Sequence, residues 1–155
     1  MENTNAKSLL EVAEIYLTYK SKVKPSLRPK VNASRDAYEI LLKNWDGAKI
    51  ELCEQFKVML LNRANKAIGI FEVSSGSATG TVADPRLIFA SALKANACGL
   101  IIAHNHPSGN LKPSQADIEL TKKLREGGRV LEIPLLDHLI VTTEGYYSFA
   151  DEGLL

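Results

Sequence analysis

The sequence predicts a layered α/β domain in which a mixed β-sheet is flanked by helices. Segments with apolar residues at helical spacing alternate with short apolar runs that are typical of strands. One run, Gly99–Ala103, is continuously apolar, as in a strand that is buried on both faces. The 155 residues, 45% of them hydrophobic, suffice for one buried core. We therefore expect a single domain over residues 31–155, preceded by a separate N-terminal segment.

The N-terminal segment, residues 1–30, is predicted to contain a helix and a basic linker. Over residues 8–19, apolar side chains such as Val12 and Tyr16 recur at the spacing of an amphipathic helix. The following stretch, residues 20–30, holds five basic residues, two prolines and no acidic residue. This composition favours an extended linker that leads into the main domain.

The main domain is predicted from a series of periodic and turn signals. Two apolar runs within residues 54–73 are separated by a polar turn, which indicates a β-hairpin. Asp84-Pro85 is a favoured helix start, with the acid as cap and the proline in the first position. A further helix begins after Ser114 and is expected to end at Gly127-Gly128. The other predicted elements are a helix over Ser34–Trp45 that Ser34 caps, and strands over Asp137–Thr142 and Tyr146–Phe149.

Composition excludes several classes of function. The formal net charge is +1, from 19 basic and 18 acidic residues, so the chain as a whole is not a polycation for nucleic acid. The longest early apolar stretch, Leu9–Leu17, is interrupted by acids and is too short to span a bilayer. Cys53 and Cys98 are too few for a disulfide framework and fit a reducing compartment. We expect a cytoplasmic protein without a membrane partner.

The most informative segment, residues 104–109 (HNHPSG), follows the buried strand. Its two histidines, His104 and His106, are two residues apart, so an extended chain points both imidazoles to one side. Binding sites in α/β sheets form beyond the carboxyl ends of strands. On the next helix, Asp117 is the third residue after the expected cap, Ser114, and lies in the first turn. The sequence therefore directs two imidazoles and one carboxylate towards one edge of the sheet.

Two imidazoles and one carboxylate suit Zn²⁺, with the fourth tetrahedral position left for water. Zinc lowers the pKa of such a water to roughly 7 and makes it a nucleophile at neutral pH. Each residue also has an ordinary alternative role. A histidine in a polar loop commonly only donates hydrogen bonds, and an acid three residues after a serine often belongs to a capping box. The combination favours a metal site formed by His104, His106 and Asp117.

The spacing of these residues resembles a known motif. His-x-His, followed by ten residues and Asp, with Pro-Ser just before the helix, is similar to the JAMM motif of MPN-domain metallopeptidases. The wider string Ala103–Asp117 and the downstream Asp137–Val141 resemble the RadC-like bacterial branch of that superfamily. The resemblance extends over about residues 31–150. It implies a cytidine-deaminase-like α/β fold, the MPN fold, and a catalytic zinc held by the three residues named above.

The resemblance also assigns roles beyond the metal ligands. Ser114 matches a serine whose hydroxyl helps to stabilise the oxyanion of a tetrahedral intermediate, whereas the same hydroxyl could instead cap the helix. His138 matches a family signature, and we expect a structural, hydrogen-bonded role for it rather than a place among the zinc ligands. Asp137 could orient a histidine from behind.

The general base of JAMM enzymes is a glutamate on an earlier strand, which accepts a proton from the attacking water. In RadC-like sequences that glutamate is expected five residues before a loop glycine. Counted from Gly76, this position is Phe71, and the acid follows one residue later, at Glu72. An offset of one residue turns a side chain to the opposite face of a strand unless a β-bulge restores its direction. Glu72 is therefore either the base or a solvent-facing strand residue.

Three functions remain open from the sequence. The first is a zinc-dependent hydrolase of the JAMM metallopeptidase type, which cleaves a peptide or isopeptide bond in a peptide or protein substrate. The second is a DNA-repair-associated accessory protein that binds nucleic acid, since RadC-like proteins carry a DNA-repair label and the basic residues 20–30 could contact phosphates. The third is a catalytically silent MPN scaffold that only binds partners, because the expected base is displaced by one residue.

Overall fold

One mixed sheet and three helices form the fold of residues 11–76 and 82–155, which are the residues that the computed structural model describes. The helices are α1 (Ser34–Lys43), α2 (Pro85–Lys94) and α3 (Gln115–Val130), and the strands are β1 (Gln55–Leu61), β2 (Ala67–Ser75), β3 (Gly99–Asn105), β4 (Leu135–Val141) and β5 (Tyr146–Ser148). The strand order is β2-β1-β3-β4-β5, with β3 and β4 parallel and the other neighbours antiparallel. Within these residues, no helix is long and apolar enough to cross a membrane.

Helices cover both faces of the sheet. The helix α1 shares an apolar cluster with Met59 and Ile101 on one face, while α2 and α3 pack with Val58 and Ile102 on the other. Every residue of β1 and β3 is buried, and for β3 the continuous apolar run Gly99–Ala103 predicted this. The predicted hairpin is formed by β1 and β2, which residues 62–66 connect. The predicted α/β class with a mixed, helix-flanked sheet is confirmed.

The helix predicted over residues 8–19 is wrong for the part that the structure describes. Residues 11–20 have no regular secondary structure, and residues 8–10 lie outside the described residues. Val12 and Tyr16 are 91% and 73% exposed, so these two apolar side chains of the predicted helix are not buried against the domain. A helix this short is marginal in water without such packing. The basic linker that follows contains a single 3₁₀ turn at Pro25–Leu27.

Of the caps predicted for α1 and α2, the first is wrong and the second is confirmed. The helix α1 begins at Ser34, but its N-cap is Ala33 rather than Ser34. The carboxylate of Asp36 accepts a hydrogen bond of 3.2 Å from the N–H of Ala33, so an acid in the first turn replaces the predicted hydroxyl. The start of α2 is as predicted, because the Asp84 carboxylate accepts from the N–H of Arg86 at 2.9 Å.

The prediction that Gly127-Gly128 ends the third helix is wrong, since α3 continues to Val130. A Cβ at Gly127 would lie 2.7 Å from the ring of Phe89, on α2. A Cβ at Gly128 would lie 2.5 Å from the main-chain oxygen of Ile133, in the segment that enters β4. These glycines therefore allow α3 to approach its neighbours closely. This role depends on the packing of α3 against Phe89 and Ile133, which the Gly-Gly pair alone does not indicate.

Candidate metal centre

The strand β3 carries the first histidine of the predicted site to the edge of the sheet. His104 pairs with Phe56 of β1 and with Ile140 of β4. Its imidazole stacks on the ring of Phe56, with the ring centroids 5.9 Å apart and the planes inclined by 2°. Only 1% of the residue is exposed. This packing holds the ring on the face of the sheet that α2 and α3 cover.

The second histidine lies one residue beyond β3, in the loop that leads to α3. The Nδ1 atom of His106 is 2.6 Å from the main-chain oxygen of Asn110. The N–H of Gly109 donates to the main-chain oxygen of His106 at 2.9 Å. Gly109 has a φ of +79°, a left-handed conformation that glycine adopts without strain. The loop therefore folds back on itself and fixes the His106 ring.

The carboxylate of the predicted site is placed by a capping box at the start of α3. The hydroxyl of Ser114 accepts from the N–H of Asp117 at 3.1 Å, and the Asp117 carboxylate accepts from the N–H of Ser114 at 2.7 Å. The Ser114 side chain also hydrogen-bonds to the Asp117 carboxylate, so its hydroxyl hydrogen is engaged within the capping box. The predicted contact of this hydroxyl with an oxyanion would require that bond to exchange, and it stays a prediction.

The structure brings together the three predicted metal ligands. The Nε2 atoms of His104 and His106 are 3.0 Å apart. The Asp117 carboxylate lies 3.4 Å from the first of these atoms and 4.0 Å from the second. One ligand atom from each residue lies within 4.8 Å of the others. The Asp117 and His106 side chains are 15% and 17% exposed, so the group opens towards solvent at one side.

The chemistry of these donors fits a divalent metal ion. The oxygen of Asn110 only accepts, so the hydrogen of a neutral His106 ring is on Nδ1 and its Nε2 carries a lone pair. The Nδ1 of His104 is likewise engaged on the far side, with His138, so its Nε2 also faces the cluster. Two lone pairs 3.0 Å apart repel unless a cation or a proton lies between them.

The Asp117 carboxylate is ionised and completes this donor set. Burial raises its pKa, but contact with His104 in its protonated form and the two bonds with Ser114 outweigh burial. The pKa of Asp117 therefore lies well below its ordinary value of 3.8. Two nitrogen donors and one anionic oxygen are a ligand set that zinc accepts in tetrahedral sites. His104, His106 and Asp117 could together hold such an ion.

Asn105, the residue between the two histidines, supports the site from the opposite face of the sheet. Its side-chain oxygen accepts from the N–H of Gln55 at 2.7 Å. Its side-chain nitrogen donates to the main-chain oxygens of Ile50 and Cys53, at 2.7 and 2.9 Å. Asn105 is fully buried. These bonds tie the segment before β1 to the end of β3, where the histidines begin.

His138 lies behind the cluster rather than in it. Its Nε2 is 2.8 Å from Nδ1 of His104, and its Nδ1 is 2.7 Å from the hydroxyl of Thr121. Full burial, followed by repulsion from His104 in its protonated form, lowers the pKa of His138 well below its ordinary value. The expected hydrogen-bonded position is confirmed. Asp137 contacts no imidazole, because its carboxylate accepts from the Ser148 hydroxyl and from two main-chain N–H groups.

Glu72 stands apart from the three clustered residues. It pairs with Lys57 across the hairpin, whereas His104 pairs with the neighbouring Phe56, so the two side chains lie on opposite faces of the sheet. The Glu72 carboxylate accepts from the side-chain nitrogen of Gln55 at 3.0 Å and lies 3.6 Å from Nζ of Lys57. Its side chain is 43% exposed.

A β-bulge is present beside Glu72. Lys57 lies opposite Glu72, but Phe56 lies opposite Ser74, so Val73 is an additional residue in β2. The bulge follows Glu72 in the chain and reverses the side-chain direction of the residues after it. The pairing of Glu72 with Lys57 precedes the bulge. The role of Glu72 as a general base stays a prediction.

Two residues of the site were not singled out from the sequence. Thr121 lies four residues after Asp117, and this spacing on one helix face is a signal that could have drawn attention to it. Gln55 contacts Glu72 through a pairing of β1 with β2. Such pairing depends on register across the hairpin, and no local motif marks Gln55.

A family comparison agrees with this geometry. The model of the RadC-like JAB domain matches residues 31–154 of the chain. The chain belongs to the RadC-like JAB domain family. The mixed sheet, the three helices and the clustered His104, His106 and Asp117 are consistent with this MPN-related domain. The wider JAB/MPN group includes metalloproteases.

Curated relatives of this RadC-like domain carry names that specify no activity. The chain is 41% identical to a UPF0758 protein of Flavobacterium johnsoniae over 150 residues, which cover 96% of this chain and 64% of the relative. It is 39% identical to a UPF0758 protein of Symbiobacterium thermophilum over 150 residues, covering 97% of this chain and 63% of the relative. The chain thus spans less than two thirds of the length of these relatives.

Proposed function

We propose that this RadC-like domain is a zinc-dependent hydrolase of the JAMM metallopeptidase type, which cleaves a peptide or isopeptide bond. The observation that carries the proposal is the convergence of the Nε2 atoms of His104 and His106 on the ionised carboxylate of Asp117. The rings present lone pairs, and the Asp117 carboxylate is an acceptor as well. A set of acceptors at this separation suits a metal ion better than mutual hydrogen bonding.

When bound, zinc would supply a Lewis acid that polarises a carbonyl and lowers the pKa of a water. The chain's own residues supply positioning around it. His104 is held by stacking on Phe56, His106 by the Asn110 oxygen, and the start of α3 by the capping box. The exposed Ser114 hydroxyl would donate to an oxyanion after exchanging its bond to the Asp117 carboxylate, as positioned donors do in acyl transfer.

Glu72 is the proposed general base of this reaction. The partial exposure of its side chain and its place on the edge strand β2, next to a bulge, support access to solvent at the edge of the sheet. The amide of Gln55 donates to its carboxylate and fixes one oxygen. The carboxylate would accept a proton from water and return it to the leaving amine.

Metal content and cleavage, measured on the same preparations, test the proposal. The parent protein and the His106→Ala variant are purified without added metal, and bound metals are quantified by elemental analysis. Both are then incubated with zinc and a mixed peptide library that includes isopeptide-linked lysines, and new termini are identified by mass spectrometry. We expect about one equivalent of zinc and new termini with the parent alone, because a zinc site needs three protein ligands.

Three outcomes would contradict the proposal in different ways. Absence of metal from the parent, even after zinc is supplied, would remove the metal centre. Equal zinc in both proteins would place the ion elsewhere. Zinc bound by the parent without any new termini would leave a metal site without hydrolysis on these substrates, which is the second candidate function.

The second candidate is a metal-binding scaffold without catalysis. It is favoured by one observation, the pairing of Glu72 with Lys57 on the face of the sheet opposite His104. A carboxylate that is engaged there, by Gln55 and Lys57, is not directed at the three ligands. In this case Glu72→Gln would change neither metal content nor the binding of partners.

Two further expectations stay predictions. Nucleic-acid binding by the basic residues 20–30 would be salt-sensitive and would be lost when residues 1–30 are removed. A cytoplasmic location rests on the small number of cysteines, and Cys53 and Cys98 are unpaired in the structure.

A further inference from the structure

A chain of hydrogen bonds runs behind the metal centre, on the side away from solvent. Nδ1 of His104 is 2.8 Å from Nε2 of His138, and Nδ1 of His138 is 2.7 Å from the hydroxyl of Thr121. That hydroxyl donates to the main-chain oxygen of Asp117 at 2.6 Å. The three side chains are 1%, 0% and 2% exposed, so no more than traces of solvent reach this chain.

Counting hydrogens assigns a direction to every bond of this chain. The main-chain oxygen of Asp117 can only accept, so the single hydroxyl hydrogen of Thr121 is used there. The Thr121 oxygen therefore accepts from Nδ1–H of His138, whose Nε2 then carries a lone pair. That lone pair accepts from Nδ1–H of His104. The hydrogen of the His104 ring is thus on Nδ1, and its Nε2 is left unprotonated towards Asp117.

We infer that Thr121 and His138 are positioning residues, which hold His104 in the tautomer that presents its Nε2 lone pair to the metal centre. Hydrogen-bonded partners behind a ligating histidine fix its tautomer and ring orientation. This inference rests on the function proposed above, since it gives the chain a purpose in metal binding. Thr121 and His138 act through His104, and neither contacts the proposed metal position.

The surroundings of His138 support this direction of the bonds. The ring is fully buried, where a charged imidazole would be costly, and a neutral ring has one donor and one acceptor. Its ring stacks on Phe149, with centroids 4.5 Å apart and planes inclined by 14°. The ring is thereby held in the orientation that the two hydrogen bonds require. The series of hydrogen bonds also returns to the residue where it starts. It begins at the main-chain oxygen of Asp117 and leads to His104, whose ring faces the Asp117 carboxylate.

A matched pair of substitutions at Thr121 isolates the hydroxyl. Thr121→Val has nearly the same shape and removes the hydroxyl, whereas Thr121→Ser keeps it. The fully buried His138 offers a second test, because His138→Phe preserves an aromatic ring beside Phe149 and removes the acceptor for His104. Zinc affinity is measured by competition with a chromogenic chelator at fixed pH. We expect a loss of about 10- to 100-fold for Thr121→Val and His138→Phe, and parental affinity for Thr121→Ser.

The tautomers are read separately, in metal-free protein, from long-range ¹H–¹⁵N correlation spectra of the imidazole rings. We expect Nδ1–H for both His104 and His138 in the parent and in Thr121→Ser. This measurement needs neither zinc nor a substrate and does not depend on the folding of any variant. Nε2–H on His104 in the parent would overturn the inference, as would equal zinc affinities for the valine and serine variants.

The same experiments separate this inference from the proposed function. Zinc binding that weakens in the expected order, without hydrolysis of any substrate, would contradict the hydrolase and support the positioning role. Nδ1–H on His104 in a protein that binds no zinc would support the hydrogen-bond directions and contradict the metal centre, together with the purpose that we assign to the chain.

Discussion

The three clustered ligands and the proposed base differ in how the chain brings them into position. His104, His106 and Asp117 belong to one strand–loop–helix segment of fourteen successive residues, 104–117, whose loop and capping box act locally. Glu72 reaches its position through the register of the β1–β2 hairpin. Local segments convert spacing into geometry directly, whereas register depends on distant pairing. The positions of the three metal ligands therefore follow more directly from the local sequence than the position of Glu72 does.

The largest expected effect comes from removing one of the three clustered metal ligands. His106→Ala should reduce bound zinc from about one equivalent to near zero, because two protein ligands do not make a closed site. The His106 side chain is on a loop and is 17% exposed, so we expect the fold to persist. Elemental analysis measures the loss, and circular dichroism verifies the fold. Zinc retained at the parental level by the folded variant would exclude His106 as a ligand.

Glu72→Gln tests the proposed general base without altering any of the three metal ligands. The substitution keeps the shape of the side chain and removes its ability to take a proton. We expect unchanged zinc content and hydrolysis slower by roughly 10²- to 10⁴-fold, as for the loss of a general base. Initial rates on a substrate found in the library screen provide the measurement.

Glu39→Gln is a matched control for this variant, because Glu39 is also exposed and ion-paired, with Arg35 on α1. Surface changes of this kind have small effects. Parental rates for both variants would show that Glu72 is a strand residue without a catalytic role. Reduced zinc in Glu72→Gln alone would instead indicate that its carboxylate contributes to the metal centre.

The features that the sequence could predict are those that depend on neighbouring residues, and the features that it missed depend on distant contacts. The buried strand, the Ser114 cap and the approach of Asp117 to His104 all depend on residues within a short stretch of chain, and all are present in the structure. The N-terminal helix was predicted from periodicity alone. Residues 11–20 contain no helix, and Val12 and Tyr16, which would lie on its apolar face, are exposed. The direction of Glu72 depends on the register of the β1–β2 hairpin, which no local pattern announces.

Gly128, near the C-terminal end of α3, is a second position whose role could not be predicted from the local sequence. We expect Gly128→Ala to reduce the free energy of unfolding by about 1–3 kcal/mol, because the new Cβ would lie 2.5 Å from the main-chain oxygen of Ile133, which has no room to move aside. Gly127→Ala is the comparison, since its Cβ would meet a side chain, the ring of Phe89. Urea denaturation measures both. A Gly128→Ala variant as stable as the parent would show that the segment around Ile133 can shift to accept the new Cβ.

The smallest expected effect concerns Asp137, a buried carboxylate outside the metal cluster. Burial raises its pKa, although bonds from Ser148 and from the N–H groups of His138 and Ala150 act in the opposite direction. A raised pKa means that the folded protein binds a proton more tightly than the unfolded chain does. Its contribution to stability is therefore largest at low pH and declines as the pH rises from the ordinary value of 3.8 through the raised pKa.

Asp137→Asn removes this titration and keeps an acceptor for both N–H groups. At pH 7 we expect its free energy of unfolding to lie within about 1 kcal/mol of the parental value, since hydrogen bonds remain satisfied and a buried charge is lost. Asp137→Ala should lose about 3 kcal/mol, because three buried donors would lack an acceptor. Urea denaturation at pH 4 and pH 7 compares the three proteins. A strong loss in Asp137→Asn at pH 7 would show that the negative charge itself stabilises this end of β4, as the charge of Asp117 does in the metal centre.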